Sequence, residues 1–215
     1  MPKVLSFINR KGGTGKTTNA INVATALSEM GNAVAVIETD VNYSLSEVRR
    51  REMEKGVPDD RQIPALFQTE EVGVVKHIKN FQKEGAYDFI IVDSAANTSV
   101  YGINRISVHS DLVIVPTSLS MNDIMVAERT VKDILPAKEE NPALKMVLLP
   151  NRIHVLSAYE TVESALRNLN IPVLKTYIPN LKLYTFLSTI YPAEGYREVA
   201  NALLKVLISE AETVA

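Results

Sequence analysis

The chain has 215 residues, 46% of them hydrophobic and 22% charged, with a formal net charge of −2 and no cysteine. This length allows one domain with a complete core, so we predict a single domain over residues 1–215. The absence of cysteine excludes disulfides and thiolate-bound clusters, and the small net charge means that contact with DNA needs a local basic patch. Because no apolar run is long enough to span a membrane and the N-terminus has no signal peptide, we expect a cytoplasmic protein.

Short apolar runs alternate with amphipathic stretches along the chain. Nearly continuous apolar runs are typical of buried parallel strands, and the amphipathic stretches have the spacing of helices that cover a sheet. The alternation predicts an α/β fold with one doubly wound, mostly parallel sheet and helices on both faces. The predicted strands are residues 4–8, 33–37, 89–92, 112–115, 146–149 and 173–178, and the predicted helices include 18–30, 123–135, 158–169 and 197–208.

The segment after the second predicted strand is the least regular part of the sequence. Residues 52–68 contain a glycine, two prolines and adjacent aspartates, which predicts a long surface excursion. Just before it, residues 49–51 are three consecutive arginines interleaved with Glu47, Glu52 and Glu54. Opposite charges at this spacing indicate a solvated helix face with i,i+4 ion pairs rather than a basic binding patch.

Residues 10–18 read Arg-Lys-Gly-Gly-Thr-Gly-Lys-Thr-Thr and stand between a predicted strand and a predicted helix. Glycines in such a loop allow backbone N–H groups to converge on phosphate oxygens, and the helix start adds a positive dipole end. Lys16 would pair with the β- and γ-phosphates, and the Thr17 hydroxyl would bind Mg²⁺. The predicted nucleotide-binding residues here are Gly12, Gly13, Thr14, Gly15, Lys16, Thr17 and Thr18.

Lys11 gives this loop a second lysine, and Arg10 stands where the general phosphate-loop pattern has glycine. From Lys11 to Thr17 the sequence resembles the deviant phosphate loop of the ParA/MinD family of dimeric P-loop ATPases. The resemblance is greatest to short, ParF-like partition ATPases without an N-terminal DNA-reading domain. It implies ATP or ADP and Mg²⁺ as cofactors, and a Lys11 that reaches across an ATP-bound homodimer to the partner's nucleotide. The residues leave open that Lys11 neutralises phosphate on its own subunit.

Two carboxylates follow predicted strands. Asp93 ends an apolar run and would lie at the carboxyl edge of the sheet, close enough to hold a Mg²⁺-bound water. The resemblance implies that Asp40 orients the attacking water near Mg²⁺. Glu38 replaces the family's first aspartate, and Val41 and Asn42 replace its Pro-Gln, so the geometry of this switch segment departs from the family pattern. The resulting catalytic set is Lys11, Lys16 and Asp40, and the metal set is Thr17, Asp40 and Asp93.

Three later segments extend the resemblance. Asn151 stands where the family contacts the adenine base, although a turn residue after a proline is the alternative. Pro179 and Asn180 resemble the late loop that packs on the adenine face. Residues 115–117 resemble the start of the strand-to-helix motif beside the nucleotide, and the Asp123 that follows is equally a capping or first-turn residue of a helix.

The resemblance also implies partners. ParA-type dimers bind DNA without sequence preference through phosphate contacts, and a centromere- or cargo-bound partner protein stimulates hydrolysis. We therefore expect nucleoid association in the ATP-bound state and no membrane partner, since the tail is acidic at Glu210 and Glu212. Scattered basic residues usually form a solvated face, so the DNA contacts are candidates only: Lys182, Arg152 and Lys205, with Arg167 and Lys175.

Two alternative functions belong to other classes. A metabolic P-loop ligase or kinase of the dethiobiotin-synthetase type would need a second cluster of charged residues for its substrate, and the sequence shows no such cluster. A MinD-like, membrane-associated positioning ATPase would need a basic amphipathic helix at the C-terminus. Both remain alternatives to a partition ATPase.

Overall fold

A computed structural model describes residues 1–40, 44–56, 62–185 and 187–209, and their strands form one seven-stranded sheet. The strand order is β3-β2-β4-β1-β5-β6-β7, and every adjacent pair is parallel. All carboxyl ends therefore meet at one edge, where ligands of such sheets bind. The strands are β1 (Lys3–Phe7), β2 (Val34–Glu38), β3 (Ala65–Gln68), β4 (Phe89–Asp93), β5 (Leu112–Thr117), β6 (Lys145–Ile153) and β7 (Ile178–Pro179).

Helices cover both faces of the sheet, as the sequence predicts. Alternate residues of β1 enter opposite cores, because successive side chains of a strand point to opposite sides: Val4 lies in one core and Leu5 in the other. The helices are α1 (Lys16–Glu29), α2 (Ser44–Glu54), α3 (Val74–Glu84), α4 (Val100–Val108), α5 (Met121–Ile134), α6 (Ala137–Glu140), α7 (Tyr159–Leu166) and α8 (Tyr196–Ile208).

The two cores divide the helices between the faces. Side chains of α1, α2 and α8 pack in one core, which includes Leu27, Leu45 and Leu203. Side chains of α3, α4, α5 and α7 pack in the other, which includes Ile78 and Val131. This arrangement confirms the predicted doubly wound α/β class, whereas the single-domain assignment over residues 1–215 stays a prediction.

Two predictions of secondary structure were wrong. Residues 65–68, assigned to a surface excursion, form strand β3, because pairing with β2 stabilises a short edge strand that its sequence alone does not indicate. The strand predicted over residues 173–178 is broken: Val173 makes an isolated bridge to Leu148, and pairing resumes only at β7. Arg152 has a φ of 57°, and the register of β6 against β7 shifts around it, which shortens the ladder. Residues 57–61 lie outside the described residues.

The three consecutive arginines, residues 49–51, make two kinds of contact. Arg50 and Arg51 form ion pairs with Glu47, and Arg50 also pairs with Glu54, so the predicted solvated helix face is confirmed for these two. Arg49 instead donates hydrogen bonds to the side chain and carbonyl of Thr189 at 2.7 and 3.0 Å. It therefore joins α2 to the segment before α8.

The described helices include none with both the length and the apolar character needed to cross a bilayer. The two longest described helices, α1 and α5, have 14 residues each. Glu210 and Glu212 are the acidic residues on which the prediction of no membrane partner depends. Both lie outside the described residues.

Candidate functional site

The glycine-rich loop lies at the carboxyl edge of the sheet, between β1 and α1. Gly13 and Gly15 have φ values of 75° and 93°, a left-handed region in which glycine is not strained. Gly12 and Gly13 lie in a turn, and within the described part of the chain the backbone N–H groups of Gly15, Lys16, Thr17 and Thr18 donate no hydrogen bond. Convergent unpaired N–H groups at a helix start form a cradle for an anion, and all seven predicted loop residues lie in it.

The entry to this cradle is fixed by Asn9, which sequence reasoning missed. The fully buried Asn9 side chain donates to the carbonyl of Pro116 on β5 at 2.9 Å and accepts from the N–H of Lys11 at 2.9 Å. The Arg10 side chain turns away from the cradle to an ion pair with Asp133 on α5, at 2.6 Å. An arginine is therefore compatible with this loop at the position where the general pattern has glycine.

The end of the cradle is fixed by Asn19, a second residue that sequence reasoning missed. The amide of Asn19 donates to the carbonyl of Gly15 at 2.7 Å and accepts from the hydroxyl of Tyr196 on α8 at 2.8 Å. Burial raises the pKa of Tyr196, so its phenol stays protonated and remains a donor. The pattern of the sequence gives no signal for this contact, because the two residues are separated by most of the chain.

Lys16 is buried in the cradle, with 6% of its surface exposed. Its ammonium donates to the carbonyl of Lys11 at 3.1 Å. Burial lowers the pKa of Lys16, while the charges of Asp93 and Asp40 oppose that change. The structure thus brings three of the predicted site residues together: one desolvated cation faces two carboxylates.

Asp93 ends β4 directly beside the cradle and is 1% exposed. Neither carboxylate oxygen has a hydrogen-bond partner among the described residues. Burial raises the pKa of Asp93 to about 7, although the Thr17 hydroxyl, which lies near the carboxylate without donating a hydrogen bond to it, and the Lys16 ammonium oppose the rise. Buried carboxylate oxygens without partners are rare and costly, and a hydrated divalent cation beside Thr17 would satisfy them.

Glu38 is the last residue of β2, and Asp40 lies two residues later. Glu38 lies in register with Asp93 and is 2% exposed, and its carboxylate accepts from the N–H of Leu45 at 3.1 Å. The extra methylene of glutamate therefore ties the end of β2 to the first turn of α2. Asp40 is half-buried and near enough to influence the pKa of Lys16. Val41 and Asn42 lie outside the described residues.

Lys11, the second lysine, forms an ion pair with Asp123 in the first turn of α5. Ser118 donates to the other oxygen of Asp123 at 2.5 Å, while Ser120 caps the helix by accepting from the Asp123 N–H. Burial alone would raise the pKa of Asp123, but the bonds from Lys11 and Ser118 hold it below its usual value. Asp123 is thus more than a first-turn acid: it holds Lys11 on its own subunit.

The late segments meet the loop at the end of β6. Asn151 is 5% exposed, and its amide donates to the carbonyl of Thr14 at 2.7 Å, so it contacts the phosphate loop directly. Pro179 pairs in register with Ile153, and the N–H of Asn180 donates to the carbonyl of Ile153 at 2.8 Å. Pro179 and Asn180 therefore lie against the end of β6 at Ile153, two residues after Asn151, and their contact with an adenine base stays a prediction.

The candidate DNA contacts fall at two ends of the molecule. Arg152 and Lys182 are exposed near the carboxyl end of β6, on adjacent segments. Lys205 lies at the other end, because the carbonyls of Val206 and Leu207 accept from Lys145 at the start of β6, at 2.9 and 2.8 Å. The structure brings Arg152 and Lys182 together and leaves Lys205 apart. Arg167 and Lys175 are exposed.

Comparison with known proteins places the chain in a family. A family model described as VirC1 protein matches residues 2–185. The maintenance of carboxysome distribution protein A of Halothiobacillus neapolitanus is 26% identical over 182 residues, which are 84% of this chain and 81% of that protein. Protein virC1 of Rhizobium radiobacter is 28% identical over 155 residues, 71% of this chain and 65% of its own length.

Solved structures share the fold. A cobyrinic acid a,c-diamide synthase from Mycobacterium smegmatis with bound ADP and magnesium has a TM-score of 0.68 at 23% identity and covers 95% of each chain. A plasmid partition protein from Borrelia burgdorferi B31 bound to AMPPNP has a TM-score of 0.64 at 19% identity, over 96% of this chain and 98% of its own. At these identities the likeness concerns the fold alone. With relatives named ParA and MinD, the matches confirm the resemblance predicted from the loop.

Proposed function

The chain belongs to the VirC1 family, and we propose that it is a magnesium-dependent ATPase of the ParA/MinD type. The observation that carries this proposal is the cradle of residues 12–18, where the N–H groups of Gly15 and of the helix start donate no hydrogen bond among the described residues and the buried ammonium of Lys16 lies at the Lys11 carbonyl. Several backbone donors joined by one desolvated cation suit a polyphosphate better than a neutral ligand. We therefore assign ATP and ADP to this loop.

The remaining roles follow from the position of each side chain around the cradle. Thr17 and Asp93, with Asp40, would hold Mg²⁺, since the partnerless oxygens of Asp93 suit a hydrated cation. When bound, Mg²⁺ supplies positive charge that offsets the phosphate oxygens. Asp40 would orient the attacking water. Pro179 and Asn180 would flank the base, and Gly12, Gly13, Thr14, Gly15, Lys16, Thr17 and Thr18 would hold the phosphates.

Lys11 would link hydrolysis to the association of two copies. Its ion pair with Asp123 is partly buried, with 35% of the lysine and 15% of the aspartate side chain accessible, so another anion can reach the ammonium while Ser118 still satisfies the carboxylate. A triphosphate in a second copy carries more charge than one carboxylate. Lys11 would then supply a cation where charge develops during phosphoryl transfer, in trans, and the dimer would dissociate after hydrolysis.

Arg152 and Lys182 would make the DNA contact. Both are exposed on adjacent segments near the carboxyl end of β6, whereas Lys205 lies at the opposite end. A dimer carries two such pairs on one rigid body, so contacts that are too weak in the monomer hold in the dimer. A sequence-independent grip on DNA that requires ATP follows from this arrangement.

The names of two similar proteins support a role in positioning a cargo. One is a carboxysome distribution protein, and the other is a plasmid partition protein. We propose that a centromere- or cargo-bound partner protein stimulates hydrolysis and so releases the dimer from the nucleoid. The cobyrinic acid a,c-diamide synthase has the same fold, and a ligase of this general kind stays the alternative, although such an enzyme would need a second cluster of charged residues that the sequence does not indicate.

The test combines ATP turnover with DNA binding. With Mg²⁺ and ATP the wild type should bind random-sequence duplex at low salt and hydrolyse ATP, and binding should weaken with salt by about 0.9 log units per phosphate contact. Lys182→Ala should weaken binding about threefold without changing basal hydrolysis, and Lys205→Ala is the matched control that should change neither. Equal DNA affinity with ATP and ADP would contradict the nucleoid role, and absence of Mg²⁺-dependent hydrolysis would contradict the ATPase.

A further inference from the structure

Asn151 and Gly15 fit against one another across 136 positions of sequence. The Asn151 amide donates to the carbonyl of Thr14 at 2.7 Å, and both residues are nearly buried. A Cβ atom on Gly15 would come within 2.2 Å of the Asn151 amide nitrogen and 3.3 Å of its Cγ. The absence of a side chain at Gly15 therefore makes room for the Asn151 amide, in addition to allowing the φ of 93°.

This contact controls the direction of a phosphate-binding N–H group. The carbonyl of Thr14 and the N–H of Gly15 belong to one planar, trans peptide, so they point in opposite directions. Holding the carbonyl against Asn151 on β6 fixes the direction of the Gly15 N–H, which donates no hydrogen bond within the described residues. Orientation of that donor is thus set by a side chain on another strand.

The next peptide is held in the same way. The carbonyl of Gly15 accepts from the amide of Asn19 at 2.7 Å, which fixes the direction of the Lys16 N–H. Two buried amides, one on β6 and one on α1, therefore hold the two peptides on either side of Gly15. Preorganised donors bind an anion more tightly than donors that must be ordered on binding.

We propose that Asn151 is a positioning residue of the phosphate loop, which sets affinity for the polyphosphate part of the nucleotide and does not select the base. The proposal rests on the assignment of ATP to this loop. It differs from the role in adenine contact that the family resemblance implies, because one N–H of the Asn151 amide is engaged by the Thr14 carbonyl and the buried amide packs against Gly15 of the loop. The two roles predict different results for ligands that lack adenine. Loss of a base-contacting residue leaves their affinity unchanged, whereas loss of a loop-positioning residue lowers it.

Three ligands separate the two roles: ATP, GTP and inorganic tripolyphosphate, each titrated with Mg²⁺ against wild type and Asn151→Ala. We expect Asn151→Ala to weaken all three by the same factor, about tenfold for one buried hydrogen bond, and to leave the ATP-to-GTP ratio unchanged. A loss confined to ATP, with tripolyphosphate affinity unchanged, would overturn the proposal and restore base contact. Unchanged affinity for all three ligands would also overturn it.

Two further variants exclude a purely structural effect. Asn168→Ala removes an exposed asparagine from the turn after α7 and should change nothing. Asn151→Leu keeps the branched shape without a donor and should repeat the parallel loss if the alanine variant folds poorly. A residue with only a structural role would lower Tm in the absence of ligand and leave the affinity of the folded fraction intact. Wild type that binds neither ATP nor tripolyphosphate would overturn the proposed function itself.

Discussion

The phosphate loop carries two lysines that the protein holds in different ways. Lys16 is 6% exposed and donates to the carbonyl of Lys11 inside the loop. The carboxylates of Asp93 and Asp40 lie near enough to influence its pKa. Lys11 is held by one carboxylate, Asp123, with 35% of its side chain accessible. A partly exposed ammonium can exchange its carboxylate for another anion, whereas the Lys16 ammonium is enclosed by its own loop and can meet only a ligand bound there. Under the proposed function, Lys16 therefore serves the subunit's own nucleotide and Lys11 serves that of a second copy.

The largest expected effect comes from removing the buried lysine. Lys16→Ala should reduce ATP and ADP affinity by at least about a hundredfold, because a charge-assisted contact to phosphate is lost in a desolvated cradle. Titration calorimetry measures the change, and Lys83→Ala on the exposed end of α3 is the matched control. Wild-type affinity of Lys16→Ala for ATP would contradict the role of Lys16 in binding the phosphates.

Asp40 belongs to the surroundings of Lys16, since its charge opposes the fall that burial causes in the pKa of that lysine. Asp40→Ala should lower hydrolysis by about a hundredfold while ATP still binds, because the attacking water loses its orienting carboxylate. The variant should accumulate as an ATP-bound dimer, which single-turnover kinetics and light scattering both detect. Hydrolysis at the wild-type rate would move this role to Asp93 or Asp123.

Removing Asp123, the partner of Lys11, should have a smaller effect, and it should strengthen association of two copies. Asp123→Ala releases Lys11 from its ion pair, so ATP-dependent association of two copies should strengthen about threefold, in line with a partly exposed pair. Sedimentation at several protein concentrations measures the association constant, and Asp133→Ala, which breaks the neighbouring Arg10 pair, is the control. Weaker association of Asp123→Ala than of the control would show that Lys11 needs Asp123 in the dimer.

The last effect concerns the pH dependence of stability. The pKa of Asp93 rises from 3.8 to about 7 in the folded protein, so the folded state retains a proton that the unfolded chain has released. Stability of the ligand-free protein should therefore fall as pH rises from about 4 to about 7, by at most about 1.4 kcal/mol per pH unit, and this contribution should level off above about pH 8. Denaturant unfolding of the wild type against Asp93→Asn isolates this contribution, which the variant should lack. Identical profiles would mean that Asp93 is charged at neutral pH.

Local sequence was sufficient for the loop and for most of the sheet. The glycines of residues 12–15 and the continuous apolar runs act through near neighbours, so their pattern predicts the strand, loop and helix around Lys16. Strand β3 escaped prediction because its stability comes from pairing with β2 and not from its own composition.

The contacts that complete the site lie far apart in sequence. Lys11 meets Asp123, Asn19 meets Tyr196, and Asn151 meets Thr14 only after the sheet has formed. A single sequence carries no spacing rule for such pairs, which is why Asn9 and Asn19 were missed. Asp123 could be named as a candidate, but its partner could not.

The most direct test of the account is the mass of Lys11→Ala and wild type measured by light scattering with Mg²⁺ and ATP, after calorimetry has shown that both bind the nucleotide. We expect a dimer for the wild type in ATP, a monomer in ADP, and a monomer for Lys11→Ala in both, because in the proposed dimer Lys11 is the lysine that reaches the second copy's nucleotide. A Lys11→Ala variant that forms dimers in ATP as readily as the wild type would contradict it, and Lys11 would then act on its own subunit.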